Sequence, residues 1–202
     1  VPETITFLSK YIVFSKAEMH DVSAEWQVIG VTGADAASGV ANSTELLVGV
    51  EDNRAEIWTP IGRDTEADSD AWHRLDIESG LAWVTPETAG EYLPQMFAYD
   101  ALGAVDFEKG CYLGQEIVAR AHFRGNVKRQ LYRASSSAFL PIGTALGDGQ
   151  RDVGQVVAVA PAAQGGGAEL LVVAPAGATG RLAAKTGAGN TTAALSSSIP
   201  KE

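Results

Sequence analysis

The chain has 202 residues, and its 15 lysines and arginines against 25 aspartates and glutamates give a formal net charge of -10 at neutral pH. Hydrophobic residues make up 46% of it, which is typical of a globular protein with enough buried surface to fold without disulfides. No apolar run approaches the roughly 20 residues of a membrane-spanning helix. The single cysteine excludes an internal disulfide and suits a reducing, cytoplasmic location.

The first part of the chain predicts a mixture of helices and strands, which is typical of an α+β layer. In chain order we expect a helix over residues 3–11 capped by Thr4 or Thr6, a short strand over 12–15, a strand over 26–31, an alanine-rich helix over 34–47, extended segments over 45–50 and 55–59, and a helix over 67–79 with Gly80 as its left-handed C-cap.

The C-terminal part has short β-rich runs separated by glycine-containing turns. These runs cover residues 130–135, 144–146, 153–159 and 169–173. Strands at intervals of about ten residues or more with glycine turns favour a small barrel or sandwich. Beyond about residue 187 the Thr, Ala and Ser residues show no periodicity, so we expect a flexible tail over 187–202.

The only cysteine, Cys111, lies between Gly110 and Gly114, just before a segment that is predicted to start a helix near Gln115. Glycines favour a tight turn, which would place the thiol at a helix entrance where amide N–H groups and Lys109 favour the thiolate. A buried, unreactive cysteine is the alternative.

Positive charge is concentrated around this cysteine. Residues 109–133 contain six bases and one acid, a net charge of +5 on a chain that is otherwise strongly acidic. Such a patch favours a specific anion, either a polyglutamyl tail or an RNA phosphate. A solvated helix face, with Glu116 and Arg120 paired, is the alternative.

The stretch FEKGCYLGQE at 107–116, continuing through 118–121, 123–125 and 128–129, resembles the signature of the YgfZ family. These are folate-binding proteins related to the T-protein (aminomethyltransferase) of the glycine cleavage system. Two further segments, LSKYIVFSK at 8–16 and WHRLDIESG at 72–80, are similar to the family in order and spacing.

The resemblance implies a tetrahydrofolate site. It assigns Trp72 to stacking on the pterin ring and Glu78 to its N–H groups, with Lys109, Arg120 and Arg124 completing the cofactor-binding set. Cys111 is the candidate catalytic residue. The remaining motif residues are Gly110, Tyr112, Gly114, Gln115 and Glu116. His20, His73 and His122 lack ligand spacing, so we expect no metal to be bound by this chain alone.

The resemblance also implies a domain organisation. The family's first domain extends well upstream of residues 8–16, so we expect residues 1–24 to be its remnant and folate binding to be weakened. An α+β domain of the ferredoxin-like, split type is predicted over 25–127, followed by a small β-barrel over 128–186 and the tail.

Two functions compete at this point. The first is a folate-dependent accessory protein for assembly or repair of iron-sulfur proteins, including those that modify tRNA. Its partners would be iron-sulfur assembly or tRNA-modifying proteins, with RNA contact and without a membrane. The second is a one-carbon transferase of the T-protein type, but T-proteins lack the cysteine motif, so the first is favoured. A folate- or RNA-binding module without catalysis is a third alternative.

Overall fold

The computed structural model describes residues 1–33, 36, 44–51, 53–65, 68–112, 114–125, 127–184 and 191–199. The chain divides into two compact units, Val1–Ala67 and Asp68–Glu202. The predicted boundaries at residues 24/25 and 127/128 stay a prediction. Within the described residues, no helix is both long enough and apolar enough to cross a membrane.

The first unit contains one helix and a three-stranded antiparallel sheet. The helix is α1 (Pro2–Ile12), and the strands are β1 (Trp26–Thr32), β2 (Leu46–Glu51) and β3 (Arg54–Pro60), in the order β1-β3-β2. Alternate residues of β3, namely Ala55, Ile57 and Thr59, are buried, as expected for a sheet with one covered face. The helix and the three strands were predicted from the sequence.

Two predictions in this unit are wrong, and a third concerns residues that the structure largely does not describe. Residues 13–16 form a turn rather than a strand, because Ile12 continues the apolar spacing of Ile5 and Leu8 and is drawn into α1. The hydroxyl of Thr6 donates to the carbonyl of Pro2 instead of capping the helix. The predicted helix over 34–47 lies largely outside the described residues, and its last two positions belong to β2.

The second unit begins with α2 (Ser69–Ser79). The side chain of its N-cap, Asp68, accepts a hydrogen bond from the amide of Ala71, and the chain leaves the helix at Gly80 with φ 74° and ψ 22°. The predicted left-handed C-cap is therefore confirmed. A 3₁₀ helix (Pro94–Phe97) and α3 (Gln115–Phe123) follow.

Six strands then close into an antiparallel barrel. They are β4 (Arg129–Ser136), β5 (Ala145–Gly147), β6 (Asp152–Pro161), β7 (Ala168–Pro175), β8 (Arg181–Ala184) and β9 (Thr192–Ser198), in the order β4-β7-β6-β5-β8-β9. The prediction of an α+β chain with a β-barrel is confirmed, as are the four predicted strands of the barrel. The ferredoxin-like assignment of the layer stays a prediction.

The expected flexible tail is wrong for residues 192–198, which form β9. This strand pairs with β4 on one side and β8 on the other, and Ala193 is fully buried. Its order comes from main-chain hydrogen bonds to two neighbours, which Thr, Ala and Ser side chains do not signal. The rest of the predicted tail, residues 187–190 and 200–202, lies outside the described residues.

Apolar side chains are buried on both the inner and the outer face of the barrel wall. Leu170, Val172 and Ala174 of β7 pack in its interior, whereas Leu171 and Val173 point outward. The outward residues pack with Ile77 of α2 and with residues of the 3₁₀ helix and the segment after it. Both faces of β7 are thus buried, and the barrel fixes α2 in place.

Candidate functional site

The loop that carries Cys111 is fixed at its start. The side chain of Asp106 accepts hydrogen bonds from the amides of Glu108 (2.8 Å) and Lys109 (3.1 Å), forming an Asx turn. The ring of Phe107 stacks on His122 of α3, with centroids 3.7 Å apart and planes at 17°. The loop is therefore tied to the last turn of α3 while its later residues lead to the first turn.

Cys111 itself is exposed and free, as expected for a thiol placed for chemistry or contact. Gly114 is the N-cap of α3 and has φ 92°, a conformation that side chains other than glycine rarely adopt. The helix starts at Gln115, whose amide donates to the carbonyl of Tyr112. The predicted turn and helix start are thus found at Gly114, whereas Gly110 does not have a positive φ.

Lys109 and Tyr112 interact beside the thiol. The ammonium of Lys109 lies 4.7 Å from the centroid of the Tyr112 ring, a cation–π contact. Both side chains are exposed. The lysine two positions before Cys111 in the sequence is thus held over the ring of a neighbouring motif residue.

Helix α3 has no buried residue of its own. It is held to the 3₁₀ helix by Gln95, whose side chain is 1% exposed and donates through Nε2 to the carbonyl of Val118 at 2.8 Å. The Oε1 atom of Gln95 is buried without a hydrogen-bond partner. One buried amide and the Phe107 stack therefore anchor the helix, and Ile117 and Phe123 remain exposed.

The predicted folate residues lie on α2. Trp72 is half-buried, and the side chain of Glu78 is exposed. The main-chain carbonyl of Glu78 accepts from the guanidinium of Arg133 on β4. Glu78 is six positions after Trp72, which places the two about 120° apart around the helix axis. Whether they and the Cys111 loop bind one ligand stays a prediction.

The basic residues do not all share one role. Arg120 and Arg124 of α3, together with Lys109 and Lys128, are exposed. Arg129 is half-buried and lines a small cavity of about 200 Å³ with Tyr92 and Asp152. Because Arg133 bonds to α2, four bases remain as candidates for contact with an anion.

The phenol groups of Tyr92 and Tyr99 are partly buried, and each donates a hydrogen bond. The hydroxyl of Tyr92 donates to Oε1 of Gln155, and that of Tyr99 donates to the carbonyl of Ala82. Burial raises the pKa of both phenols above the ordinary value, although the charge of Arg129 acts in the opposite direction on Tyr92.

Sequence reasoning missed a cavity of about 300 Å³ between α2 and the barrel. Asp76, which is 4% exposed, lies in its wall, and its Oδ2 accepts from Nε1 of Trp83 at 3.1 Å. From the sequence alone we predict that Trp26, Trp58 and Trp83 are packing residues, but they are 38%, 43% and 58% exposed. No pattern in the sequence indicates that Asp76 is buried or that Trp83 is its hydrogen-bond partner.

The chain is similar in sequence to several known proteins, although no family model matches it. It is 35% identical to the tRNA-modifying protein YgfZ of Edwardsiella ictaluri over 195 residues, covering 79% of this chain and 58% of that protein. It is 33% identical to the tRNA-modifying protein YgfZ of Klebsiella pneumoniae over 162 residues, covering 66% and 49%.

A further relative is an uncharacterized protein of Haemophilus influenzae, 34% identical over 135 residues, which cover 65% of this chain and 46% of that protein. The chain thus spans about half the length of the curated relatives it matches.

Proposed function

Because this chain belongs to the YgfZ family, we propose that it acts in tRNA modification as a folate-dependent accessory protein whose Cys111 loop carries the reactive group. The observation that carries the proposal is the exposed thiol at the entrance of α3, on a loop tied down at Phe107 and Asp106. Its relatives are named tRNA-modifying proteins. An exposed, oriented thiol suits contact with a partner or transfer of a group.

The thiol would act on an iron-sulfur partner rather than hold a cluster alone. Clusters are held by several cysteine thiolates, and this chain has one cysteine. The proposal is therefore that Cys111 contributes to assembly or repair of a cluster whose other ligands come from the partner, such as an iron-sulfur enzyme that modifies tRNA.

Folate would bind beside α2. Trp72 provides a flat face for the pterin ring, and the carboxylate of Glu78 accepts from its N–H groups. The exposed bases Lys109, Arg120 and Arg124 would attract the negatively charged glutamate tail. In this proposal the cofactor is tetrahydrofolate or a one-carbon derivative of it.

The first experiment tests the thiol in the cell. In the source genome, the Cys111 codon is changed to serine, and the modified nucleosides of total tRNA are quantified by mass spectrometry. We expect loss of one or more modifications, with normal levels in a strain carrying Ser137→Ala, an exposed change in a barrel loop. A wild-type nucleoside profile in the serine strain would remove the role of the thiol.

The second experiment tests the cofactor. Tetrahydrofolate is titrated into the protein by calorimetry, and into Trp72→Ala and Glu78→Gln. We expect both variants to weaken binding, whereas Glu91→Gln, an exposed acid outside α2, should not. If neither α2 variant changes the affinity, folate does not bind where we propose. If folate binds and the Cys111→Ser strain is normal, the third alternative, a binding module without catalysis, is favoured.

A further inference from the structure

We propose that Gln95 is a positioning residue for the Cys111 thiol, because its side-chain amide holds the first half of α3 and thereby fixes the loop that carries the thiol. The proposal rests on the proposed function of Cys111 and adds a residue to it. Gln95 lies in the 3₁₀ helix, is 1% exposed and donates through Nε2 to the carbonyl of Val118 at 2.8 Å. It acts through α3 rather than on a reacting group itself.

The last turn of α3 is held to the barrel by the chain that follows it. Val127, between α3 and β4, is buried, and the carbonyl of Lys128 accepts a hydrogen bond from the amide of Ala176. Phe107 also stacks on His122 in this turn. The C-terminal end of the helix therefore has a position that does not depend on the 3₁₀ helix.

The first half of α3 is held differently. It begins after Gly114, and the exposed Cys111 comes just before it. All of α3 is described by the structure, and none of its residues is buried, so it has no fully buried apolar side chain to fix its position. The bond from Gln95 reaches Val118, the fourth residue of the helix. This bond joins the half of α3 nearer the thiol to the 3₁₀ helix.

The 3₁₀ helix is a rigid support for that bond. Phe97 and Ala98 are 3% and 4% exposed and belong to the same core cluster as Leu171 and Val173 of β7. Ala98 ends the 3₁₀ helix in the left-handed conformation with φ 56°, which residues other than glycine seldom adopt. Residues in such conformations persist where the surrounding structure determines them. The barrel therefore fixes where the amide of Gln95 lies.

Gln95 occupies this position at a cost in stability. Its Oε1 is buried without a hydrogen-bond partner among the described residues, and a buried acceptor without a donor is unfavourable. The opposite orientation of the amide would set Oε1 against the carbonyl of Val118, two acceptors facing each other. A methionine would fill similar space without an unpaired acceptor. The cost is explained if the amide is needed to hold α3.

A small tilt of α3 is enough to matter for the thiol. The nine residues of the helix span about 13 Å, so a rotation of about 10° about the last turn would move the first turn by about 2 Å. In catalysis a misplacement of about 1 Å can cost roughly a hundredfold in rate. A contact that prevents this tilt therefore affects what the thiol can do.

A nitroxide label on Cys111 measures the effect, because the chain has one cysteine and it is exposed. Gln95→Met removes the donor and the unpaired acceptor together. We expect the label to become more mobile in the electron paramagnetic resonance spectrum. The free energy of unfolding in urea should not fall, since the unpaired acceptor is lost and the carbonyl of Val118 keeps its bond within the helix.

Gln155→Met is the matched control. Gln155 is a half-buried glutamine of β6 that accepts from the hydroxyl of Tyr92 and donates to the carbonyl of Gly143. Its loss should lower the free energy of unfolding and leave the mobility of the label unchanged. A residue with a merely structural role would behave like Gln155, so the same pattern in Gln95→Met would contradict the proposal.

Gln95→Glu provides a second test that does not depend on the methionine variant folding well. A protonated carboxyl can donate to Val118 as the amide does, whereas an ionised one cannot. Burial raises the pKa of the new carboxyl above the usual value of about 4.3. The label should therefore be as immobile as in the wild type below that pKa and more mobile above it. A label whose mobility does not change with pH would contradict the need for a donor.

The tRNA nucleoside profile gives the cellular result. At equal protein levels, the Gln95→Met strain should lose the same modifications as the Cys111→Ser strain. A label as immobile in Gln95→Met as in the wild type, or a normal profile in that strain when the Cys111→Ser strain has lost modifications, would overturn the proposal. A normal profile in the Cys111→Ser strain would instead reject the proposed role of the thiol, and the label would still decide whether Gln95 positions the loop.

Discussion

The ring of Phe107 stacks on the imidazole of His122, with centroids 3.7 Å apart, and the same ring meets Phe123 edge-on at 6.0 Å. These contacts join the start of the Cys111 loop to the last turn of α3, although the loop enters that helix at its first turn. Both ends of the loop are therefore attached to α3, the start by aromatic contacts and the end by the chain itself. The position of the thiol relative to α3 depends on this aromatic cluster and on the turn at Gly114.

We expect Phe107→Ala to loosen this loop without unfolding the barrel. Aromatic pairs contribute about 0.5–1.5 kcal/mol beyond the area they bury, which is enough to change local opening but not global folding. Hydrogen exchange of residues 106–124 should become faster, and exchange in β6 and β7 should not change. Phe139→Ala, at a ring that is 55% exposed in a barrel loop, is the matched control. Unaltered protection of α3 in Phe107→Ala would show that the stack does not hold the loop.

The exposure of Cys111 leads to a prediction about its reactivity. Iodoacetamide should alkylate the native protein at neutral pH at a rate similar to that of the unfolded protein, because the thiol is exposed. Mass spectrometry measures the rate directly, and Cys111→Ser provides the unlabelled control. If labelling waits for denaturant, the thiol is protected in solution and the proposed role of the loop loses its basis.

Gly80 is a position where we expect a single methyl group to be costly. Its φ of 74° is unfavourable for alanine, and a Cβ atom there would lie 3.0 Å from Cδ1 of Ile199. Strain of this kind costs on the order of 1–3 kcal/mol. Gly80→Ala should therefore lower the free energy of unfolding, measured with urea, by at least that amount.

Gly90→Ala separates the two causes, since Gly90 has φ 80° but nothing within 4 Å of its Cβ position. We expect Gly80→Ala to be the more destabilising of the two, and Ile199→Ala to recover part of the difference in the double variant. Equal losses from the two glycines would mean that Ile199 moves aside at no cost.

Local sequence patterns predicted the elements that local physics determines. The left-handed turn at Gly80 and the start of α3 at Gln115 follow from residue types within a few positions, and both were predicted. Strand β9 was not, because its Thr, Ala and Ser residues have no apolar periodicity and its order comes from pairing with β4 and β8. Pairing over long sequence distances is decided by the closed barrel, not by the segment itself.

In the candidate site, too, local features were predicted from the sequence and tertiary contacts were not. The glycines around Cys111 predict a turn at a helix entrance, with a buried thiol as the alternative, and the structure has the thiol exposed just before α3. The sequence did not bring out Asp76 or Trp83, because an acid and a tryptophan seven residues apart do not indicate that one is buried and holds the other. Which groups face α2 from the barrel is a tertiary property.

The buried phenols give a pH dependence with a definite sign. Burial raises the pKa of Tyr92 and Tyr99 in the folded state, so the folded protein retains these protons at a pH where the unfolded chain releases them. Their contribution to stability is complete below the unfolded pKa of about 10 and is lost as pH rises through the folded value. The free energy of unfolding should therefore fall above about pH 10.

Urea titrations across this pH range test the assignment. Tyr92→Phe should be less stable at neutral pH because it loses the bond to Gln155, but its alkaline slope should be shallower than that of the wild type. Tyr99→Phe should reduce the slope as well, and the double variant should reduce it further. If the double variant kept the wild-type slope, the loss of stability at alkaline pH would be caused by groups other than these two phenols.

The last prediction concerns the exposed bases around α3. If Arg120 and Arg124 bind the glutamate tail of folate, the protein should prefer polyglutamylated over monoglutamylated tetrahydrofolate, and this preference should decline as salt rises, since charges are screened over about 10 Å at 0.1 M ionic strength. Arg120→Ala and Arg124→Ala should each reduce the ratio of the two affinities, measured by calorimetry at low salt.

Arg181→Ala is the matched control for that ratio, because Arg181 is an exposed arginine on β8 of the barrel and belongs to neither the motif nor α3. A charge that is merely solvated contributes little to binding, so this variant should keep the wild-type preference. Should the ratio stay constant in both α3 variants, the tail does not bind there. Affinity for tRNA would then be measured over the same salt series, where removal of a phosphate-binding charge makes the affinity less sensitive to salt.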